Sequence, residues 1–324
     1  MARRVLVIAN NLNQASYRLR IEALIAPLGQ RGIELDVKIR PRGILARQRL
    51  LQTADAYDAV ILQRKLLDGH DARLLARRAR HVYFDVDDAV MYCNGPAGAF
   101  ERWRTWRRFL ATAANVDMVV AGNEHLAEMF RRRGAAARVL PTVVDIGRYC
   151  AKAHGPAERP TLVWIGSHST LPYLREILPV LESMPRPKLL IVADQTLQSS
   201  SIEIEHVPWS AATEAAALAR GDIGIAPTPF DRWTEGKCGF KIVQYMAAGL
   251  PVIASPVGAN RELVVDGETG YLVHSSSDWT KATAALAGDW ELRARMGASG
   301  RARAERLYTL DRAVDFWEKL LHEA

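Results

Sequence analysis

A chain of 324 residues, 49% of them apolar, is long enough for two ordinary domains with full cores, and no apolar run approaches the roughly 20 residues a membrane helix needs. The net charge of +7 is uneven, with +10 on residues 1–150 and −3 on the rest, which suits an anionic membrane surface or acceptor for the first half; no module accompanies it that would point to nucleic acid. Three scattered cysteines, Cys93, Cys150 and Cys238, suggest neither a disulfide framework nor a zinc site and point to a cytosolic protein.

In chain order, Met-Ala-Arg-Arg is too short for a signal peptide and leads into a first strand, Val5–Ala9. Ser16 is the expected N-cap of a helix through Leu28, with Gly29 and Gly32 near its end. Glu34–Ile39 and Asp58–Leu62 are further strands, and the βαβ opening predicts a doubly wound sheet with ligands beyond the strand carboxyl ends. After a basic helix at Asp71–Arg80, the strand Val82–Phe84 runs straight into Asp85-Val86-Asp87-Asp88. Three carboxylates in four residues need solvent or partners. They face a substrate, hold a hard cation or cap the next element. Phe100–Leu110 interleaves Phe100, Trp103 and Trp106 with five charges, a pattern that suits either a membrane interface or a core anchor. Strands Asp117–Ala121 and Arg138–Leu140 follow, and residues 150–160 read as an interdomain linker.

The second half opens with strand Thr161–Ile165, the turn Gly166-Ser167-His168-Ser169-Thr170 and a helix with Pro172 in its first turn. Leu189–Ala193, Ile202–Val207 and Ile223–Ala226 are strands. From Gly236 a Gly-bearing turn, Lys237-Cys238-Gly239, leads into an apolar helix, Phe240–Ala248, which Gly249 stops before the short buried strand Pro-Val-Ile-Ala. A second Gly-containing loop opens another helix at Arg261. Two loops that each open a helix supply free N–H groups and positive dipole ends for an anion such as a diphosphate, and Lys237 and Lys241 add full charges. The pattern alone equally fits an ordinary strand–loop–helix series with solvated lysines. Trp279–Leu307 is expected as one helix and Asp311–Leu321 as the last.

The run Gly239…Met246-Ala247-Ala248-Gly249…Pro-Val-Ile-Ala…Arg261-Glu262 resembles the donor-sugar segment of retaining glycosyltransferases of family 4, and V-V-A-G-N-E and L-P-T-V-V-D resemble the end of that family's first domain. The resemblance implies an α/β protein of GT-B fold, two Rossmann-like doubly wound parallel-sheet domains facing a central cleft: residues 1–153, with a C-terminal helix 308–324 packing back on it, and residues 154–307. It implies an enzyme that moves a sugar from a nucleoside-diphosphate donor to a glycan, lipid-linked or small-molecule acceptor with retention; from its cysteine usage and basic first half the protein is expected in the cytoplasm, either free or peripheral at the inner membrane face. No metal and no other cofactor is expected. The resemblance puts Gly166, Ser167, His168, Lys237, Cys238, Gly239, Phe240, Lys241, Gln244 and Glu262 at the donor, and Asp85, Asp88 and Lys241 at the chemistry. Two family glutamates eight positions apart are Gly236 and Gln244 here, and Gln244 is expected at the ribose. The family's Gly-Gly pair in the first loop is replaced by Asn-Asn-Leu-Asn, so Asn11, Ser16 and Arg18 are expected near the donor phosphate. The Arg or Lys after the family's Gly166 is Ser167-His168, with His168 either a phosphate contact or a cap. A GT-B protein that binds a nucleotide sugar without transferring it is the alternative.

Overall fold

The computed structural model describes residues 2–93, 95–184 and 187–323; residue 324, the last of the expected C-terminal segment, lies outside them. The chain forms two compact units. The first comprises the chain up to Val143, Asp231–Cys238 and the chain from Leu310; the second comprises Val144–Phe230 and Gly239–Thr309.

In the first unit, strands β1 (Arg3–Ala9), β2 (Ile33–Ile39), β3 (Ala59–Gln63), β4 (Val82–Val86), β5 (Met118–Ala121) and β6 (Ala137–Val139) pair in parallel in the order β2-β1-β3-β4-β5-β6. A parallel sheet is covered on both faces, so its strands read as continuous apolar runs. Leu6, Ile8, Val60, Leu62 and Phe84 join one core, while Val5, Val7, Ala59, Ile61 and Tyr83 join the other. The second core is completed by the helix Leu310–His322, whose Trp317 is fully buried with its ring edge-on to Tyr83 at 6.2 Å. Arg31 ties the same helix to the end of helix Ala23–Gln30 through Asp315 and Glu318.

The second unit repeats the plan with β7 (Thr161–Ile165), β8 (Lys188–Ala193), β9 (Glu203–Pro208), β10 (Ile223–Ala226), β11 (Val252–Ala254) and β12 (Gly270–Leu272), in the order β12-β11-β10-β7-β8-β9. Pro172 does sit in the first turn of helix Leu171–Glu182. Gly249 takes φ +69° after helix Phe240–Ala247, and Leu250 N–H returns to the Tyr245 carbonyl, the left-handed stop expected of glycine there.

Several elements differ from the sequence reading. A helix at Ile44–Gln52 was not expected, because its arginines obscure the apolar spacing. Ser16 does not cap: Gln14 stands at the N-cap, and Ser16 is buried, accepting a bond from Arg64 Nη1 at 3.2 Å. The expected helix 279–307 is two, Ser276–Gly288 and Trp290–Leu307, because Asp289 turns extended and caps the second through Leu292 N–H. The segment expected as a linker is bound into the second unit: Lys152 N–H donates to Ala248 O, His154 Nε2 meets Gly249 O, and Arg293 donates to Gly155 O.

Helix Trp290–Leu307 lies on Phe240–Ala247 through glycines. A Cβ on Gly297 would sit 2.1 Å from the Gly249 carbonyl oxygen, and one on Gly300 3.3 Å from Met246 Cγ. Gly297→Ala is therefore expected to cost about 1–3 kcal/mol despite its gain in helix propensity. Gly288→Ala, whose new methyl meets nothing within 4 Å, is expected to be neutral or to stabilise by up to about 1 kcal/mol. Urea unfolding of the two variants checks the contrast, and equal effects would contradict the close approach.

Candidate functional site

In the first unit, charged side chains gather at and just after the carboxyl ends of β1, β3 and β4. Arg20, on a π-helical turn at Arg18–Glu22, reaches the end of β4. Its Nε lies 3.0 and 3.1 Å from the two Asp85 oxygens, Nη2 lies 2.6 Å from Oδ1, and Nη1 donates to Leu140 O at 2.8 Å. Both side chains are buried, at 2% and 1% exposure. Burial pushes the Asp85 carboxyl up and the three bonds from Arg20 oppose it; the guanidinium stays charged because it cannot deprotonate in a protein. Asp85 was expected to face a sugar, but here it is satisfied inside the core.

Asp87 and Asp88 are half-buried and answer to Arg64 instead. The chain leaves β3 with Arg64 at φ +59°, an uncommon conformation for a side-chain-bearing residue. From there Arg64 pairs with Asp88, lies 3.7 Å from Asp87 and donates to Ser16. Carboxylates that could have held a cation are thus turned onto arginines. The Asp88 carboxyl is pushed up to about 6, by burial first and then by Asp87, against the pull of Arg64 and Lys237.

Lys237 and Cys238 belong to this unit too. Asp231 Oδ1 accepts from the N–H groups of Trp233 and Thr234, starting a short 3-10 turn at Thr234–Gly236. The segment then locks in place: Asn123 Nδ2 donates to Lys237 O at 3.1 Å, and the Cys238 thiol donates to Asp87 O at 3.0 Å. Burial, then Asp87, raise that thiol well above its usual range, which keeps the proton on sulfur. A Cβ on Gly122 would lie 2.2 Å from the Cys238 sulfur, and one on Gly236 2.5 Å from Ala89 Cβ. Gly236 therefore cannot carry the glutamate that the resembled family has at this position.

The second unit holds the remaining expected donor residues. Gly239 takes φ +61°, and a Cβ there would lie 2.4 Å from Leu263 Cδ1 and 3.0 Å from Asn260 Oδ1. It opens helix Phe240–Ala247, which no side chain caps. Lys241 lies with its ammonium 4.7 Å from the centre of the Trp164 ring. Trp164 is itself buried on β7, and a Cβ on Gly166 would meet its ring at 2.3 Å. Past Gly166, His168 takes both Asp194 oxygens, through N–H and Nδ1, each at 2.6 Å. Against the opposing effect of burial, these bonds hold Asp194 below the usual carboxylate range. Ser167 Oγ lies 2.8 Å from Ser169 Oγ. Helix Leu171–Glu182 likewise has no side-chain cap. Gln244, expected at a ribose, is buried with its amide donating to the Tyr149 hydroxyl at 3.1 Å, and that hydroxyl is held by Glu214. Glu262 is exposed, and its carbonyl accepts from Arg303 at 2.6 Å. Asn11 is exposed with Oδ1 closing a local turn to Asn13 N–H, and Arg18 sits on the π-helical turn.

The structure thus separates the expected residues into two groups. Asp85, Asp88, Ser16, Lys237 and Cys238 share the first unit, and Gly166, Ser167, His168, Gly239, Phe240, Lys241, Gln244 and Glu262 share the second. Sequence reasoning missed Arg20, Arg64, Asp194 and Tyr149. For Arg20, Arg64 and Asp194 the one signal was an arginine or acid just past a strand end or in the first helix after it; Tyr149 carried none.

Residues 159–289 match the family described as Glycosyl transferases group 1. The phosphatidyl-myo-inositol mannosyltransferase of Mycobacterium leprae is 32% identical over 183 residues, covering 53% of this chain and 43% of that protein. The protein of the same name from Mycobacterium tuberculosis H37Rv is 30% identical over 157 residues, 43% of this chain and 40% of that one. This chain therefore spans less than half the length of these curated relatives. Among solved structures, sucrose-phosphate synthase from Thermosynechococcus elongatus matches with a TM-score of 0.78 at 16% identity, over 99% of this chain and 98% of that one. Anabaena Alr3699/HepE in complex with UDP and glucose matches with a TM-score of 0.72 at 16% identity, over 99% and 100%. At such identities the likeness establishes the fold.

Two outcomes test the first-unit cluster. Asp85→Asn leaves Arg20 charged and buried without its counter-ion, an expected loss of about 3–5 kcal/mol; urea unfolding measures it, and a loss under 1 kcal/mol would contradict the pairing. For Asp88, the native state binds a proton up to about pH 6, while the unfolded chain does so only below its ordinary value of 3.8. Its contribution to stability is thus most unfavourable above about pH 6 and is relieved as the pH falls through that window. The stability of the wild type minus that of Asp88→Asn is expected to rise between pH 7 and pH 4.5. A flat slope would show that Asp88 titrates normally, and an opposite one that its carboxyl is held below the ordinary value; either would overturn the upward shift.

Proposed function

We propose, on the premise that residues 159–289 are glycosyl transferases group 1 sequence on a GT-B fold, that this chain is a retaining glycosyltransferase. It moves a sugar from a nucleoside-diphosphate donor to a hydroxyl of a glycan, lipid-linked or small-molecule acceptor, with no metal or other cofactor. The observation that carries the reading is the family match itself, because it runs through the strands and turns that end in Gly166-Ser167-His168 and Gly239-Phe240-Lys241.

Charge builds on the diphosphate as it departs, and preorganised donors and cations stabilise it best. The start of helix Phe240–Ala247, which no side chain caps, offers first-turn N–H groups for that work. Lys241 supplies a full charge from a fixed place over Trp164, and His168, oriented by Asp194, supplies an imidazole in place of the resembled family's cation. Exposed Glu262 is assigned to the sugar or ribose. In the first unit the acceptor is met by the strand ends around Ser16, Arg64, Asp88 and Lys237, with Asp85 holding Arg20 and β4 in position. The acceptors named in the curated relatives make inositol-bearing compounds the first to try. The exposed Phe100 and Trp103 beside arginines, and the lack of any described helix long and apolar enough to cross a membrane, fit work at the cytoplasmic face of a membrane.

The test is transfer from UDP-, GDP-, ADP- and dTDP-sugars to myo-inositol, inositol phosphate and phosphatidylinositol, with product anomers assigned by NMR. Lys241→Ala is expected to lower kcat/KM for the donor by about 10²–10³-fold. An unchanged value would remove Lys241 from the site, and an inverted anomer would overturn retention. A second reading, binding without transfer, draws on Gly236 and on the inward amide of Gln244. Thermal shifts with a nucleotide sugar but no turnover with any acceptor would favour it.

A further inference from the structure

We infer that Arg40, Lys65 and Arg108 form a binding site for a phosphate group, in the first unit and separate from the residues considered above.

The three cations come together through the fold. Arg40 is the first residue after β2, held by its N–H to Ala9 O at 2.8 Å. Lys65 follows Arg64, whose left-handed backbone turns the chain just past β3. Arg108 rides on helix Ala99–Ala113 beside the fully buried Phe109, and the same helix is tied to the segment after Lys65 by Leu67 N–H donating to Thr112 Oγ1 at 2.9 Å. Arg40 and Lys65 therefore stand at the carboxyl ends of parallel strands, where doubly wound sheets place ligands.

The local charge does not balance. Asp71, almost fully buried, is taken by Arg47 and lies 3.8 Å from Arg40. Asp68 caps helix Gly69–Arg78 and lies 3.6 Å from Arg47. Two carboxylates thus face four cations, Arg40, Arg47, Lys65 and Arg108, and no carboxylate among the described residues pairs with Lys65 or Arg108. The Arg40 side chain is only 14% exposed, and its Nε is buried with no hydrogen-bond partner. Burial first, and then the neighbouring cations, pull Lys65 and Arg40 down from their usual values, Arg108 acting on both. Buried donors and like charges left in this state cost stability unless something offsets them.

A phosphate monoester fits what is missing. It carries about −1.5 to −2 charges at pH 7 and three strong acceptor oxygens, which match an excess of two positive charges and offer an acceptor to Arg40 Nε. Carried by the acceptor, such a phosphate would anchor the molecule that receives the sugar; that role, though not the site, rests on the transferase reading above. The phosphate can belong to a soluble metabolite or to a lipid headgroup, and exposed Ile39, Ile44 and Leu45 on the segment that carries Arg40 make the second source worth its own arm.

The experiment titrates inorganic phosphate into the full chain by calorimetry, for the wild type, Lys65→Gln/Arg108→Gln and, as a control at an exposed lysine of the second unit, Lys281→Gln. The double variant is expected to lose at least tenfold in phosphate affinity while Lys281→Gln keeps it. In phosphate-free, low-salt buffer the double variant is also expected to melt higher than the wild type, because repulsion is relieved, and phosphate should no longer raise its midpoint. Glycerol 3-phosphate competing with phosphate assigns a soluble source. Lys65- and Arg108-dependent sedimentation with 3:1 phosphatidylcholine:phosphatidylglycerol vesicles assigns a headgroup. Phosphate and vesicle binding unchanged in the double variant would overturn the site. Phosphate binding lost in the double variant of a chain that transfers no sugar would leave the site standing and remove only its acceptor role.

Discussion

The buried pair of Arg20 and Asp85 is the constraint on which the first unit's strand ends depend. One guanidinium spans three pieces of chain: the helical turn after β1, the end of β4 and the Leu140 carbonyl beyond β6. An ion pair this deep is weak evidence of net stability, since desolvation offsets much of the attraction. Its effect is positional. With Asp85 turned inward, the chain emerges with Asp87 and Asp88 toward Arg64 and with a backbone carbonyl toward the Cys238 thiol. The acidic turn is thereby a fixed polar surface with one carboxyl, Asp88, pushed up to about 6.

Much of this was legible in the sequence. The strands announce themselves as apolar runs because both faces of a parallel sheet are buried; eleven of the twelve lie within a few residues of their expected places, and the short edge strand Gly270–Leu272 was not among those expected. The turns at Gly239 and Gly249 were readable because only glycine adopts those backbones without strain. What stayed hidden was long-range pairing. Nothing near Asp85 indicates that its partner lies 65 positions earlier, and nothing near Gln244 indicates Tyr149, 95 positions away. Both were expected at a ligand because their positions match those of residues that touch one in the resembled family. Position in the fold was transferable; side-chain direction depends on partners that this chain supplies differently.

The separation of Lys237 from Lys241 makes the same point at shorter range. Four residues apart, they look like one clamp in the sequence. Yet the segment Asp231–Cys238 is held by Asn123, Asp87 and the tight approaches at Gly122 and Gly236, whereas Gly239 is fitted against Leu263 and Asn260. Small residues at these contacts leave no room for longer ones. A substitution such as glutamate to glycine at position 236 is then a packing consequence as much as a change in chemistry.

The course of the chain also bears on how the protein is made. The core beneath Tyr83 is closed by Trp317, on a helix synthesised only after the whole second unit. Roughly 170 residues separate Val143 from that helix, and at about 5–20 residues per second their translation takes roughly 10–30 s. For that interval a nascent first sheet has one apolar face uncovered while the second unit can already be complete. Vectorial synthesis therefore reverses the order suggested by sequence position: the unit begun first is finished last, and ribosome-associated chaperones have their target on the face that Trp317 will cover.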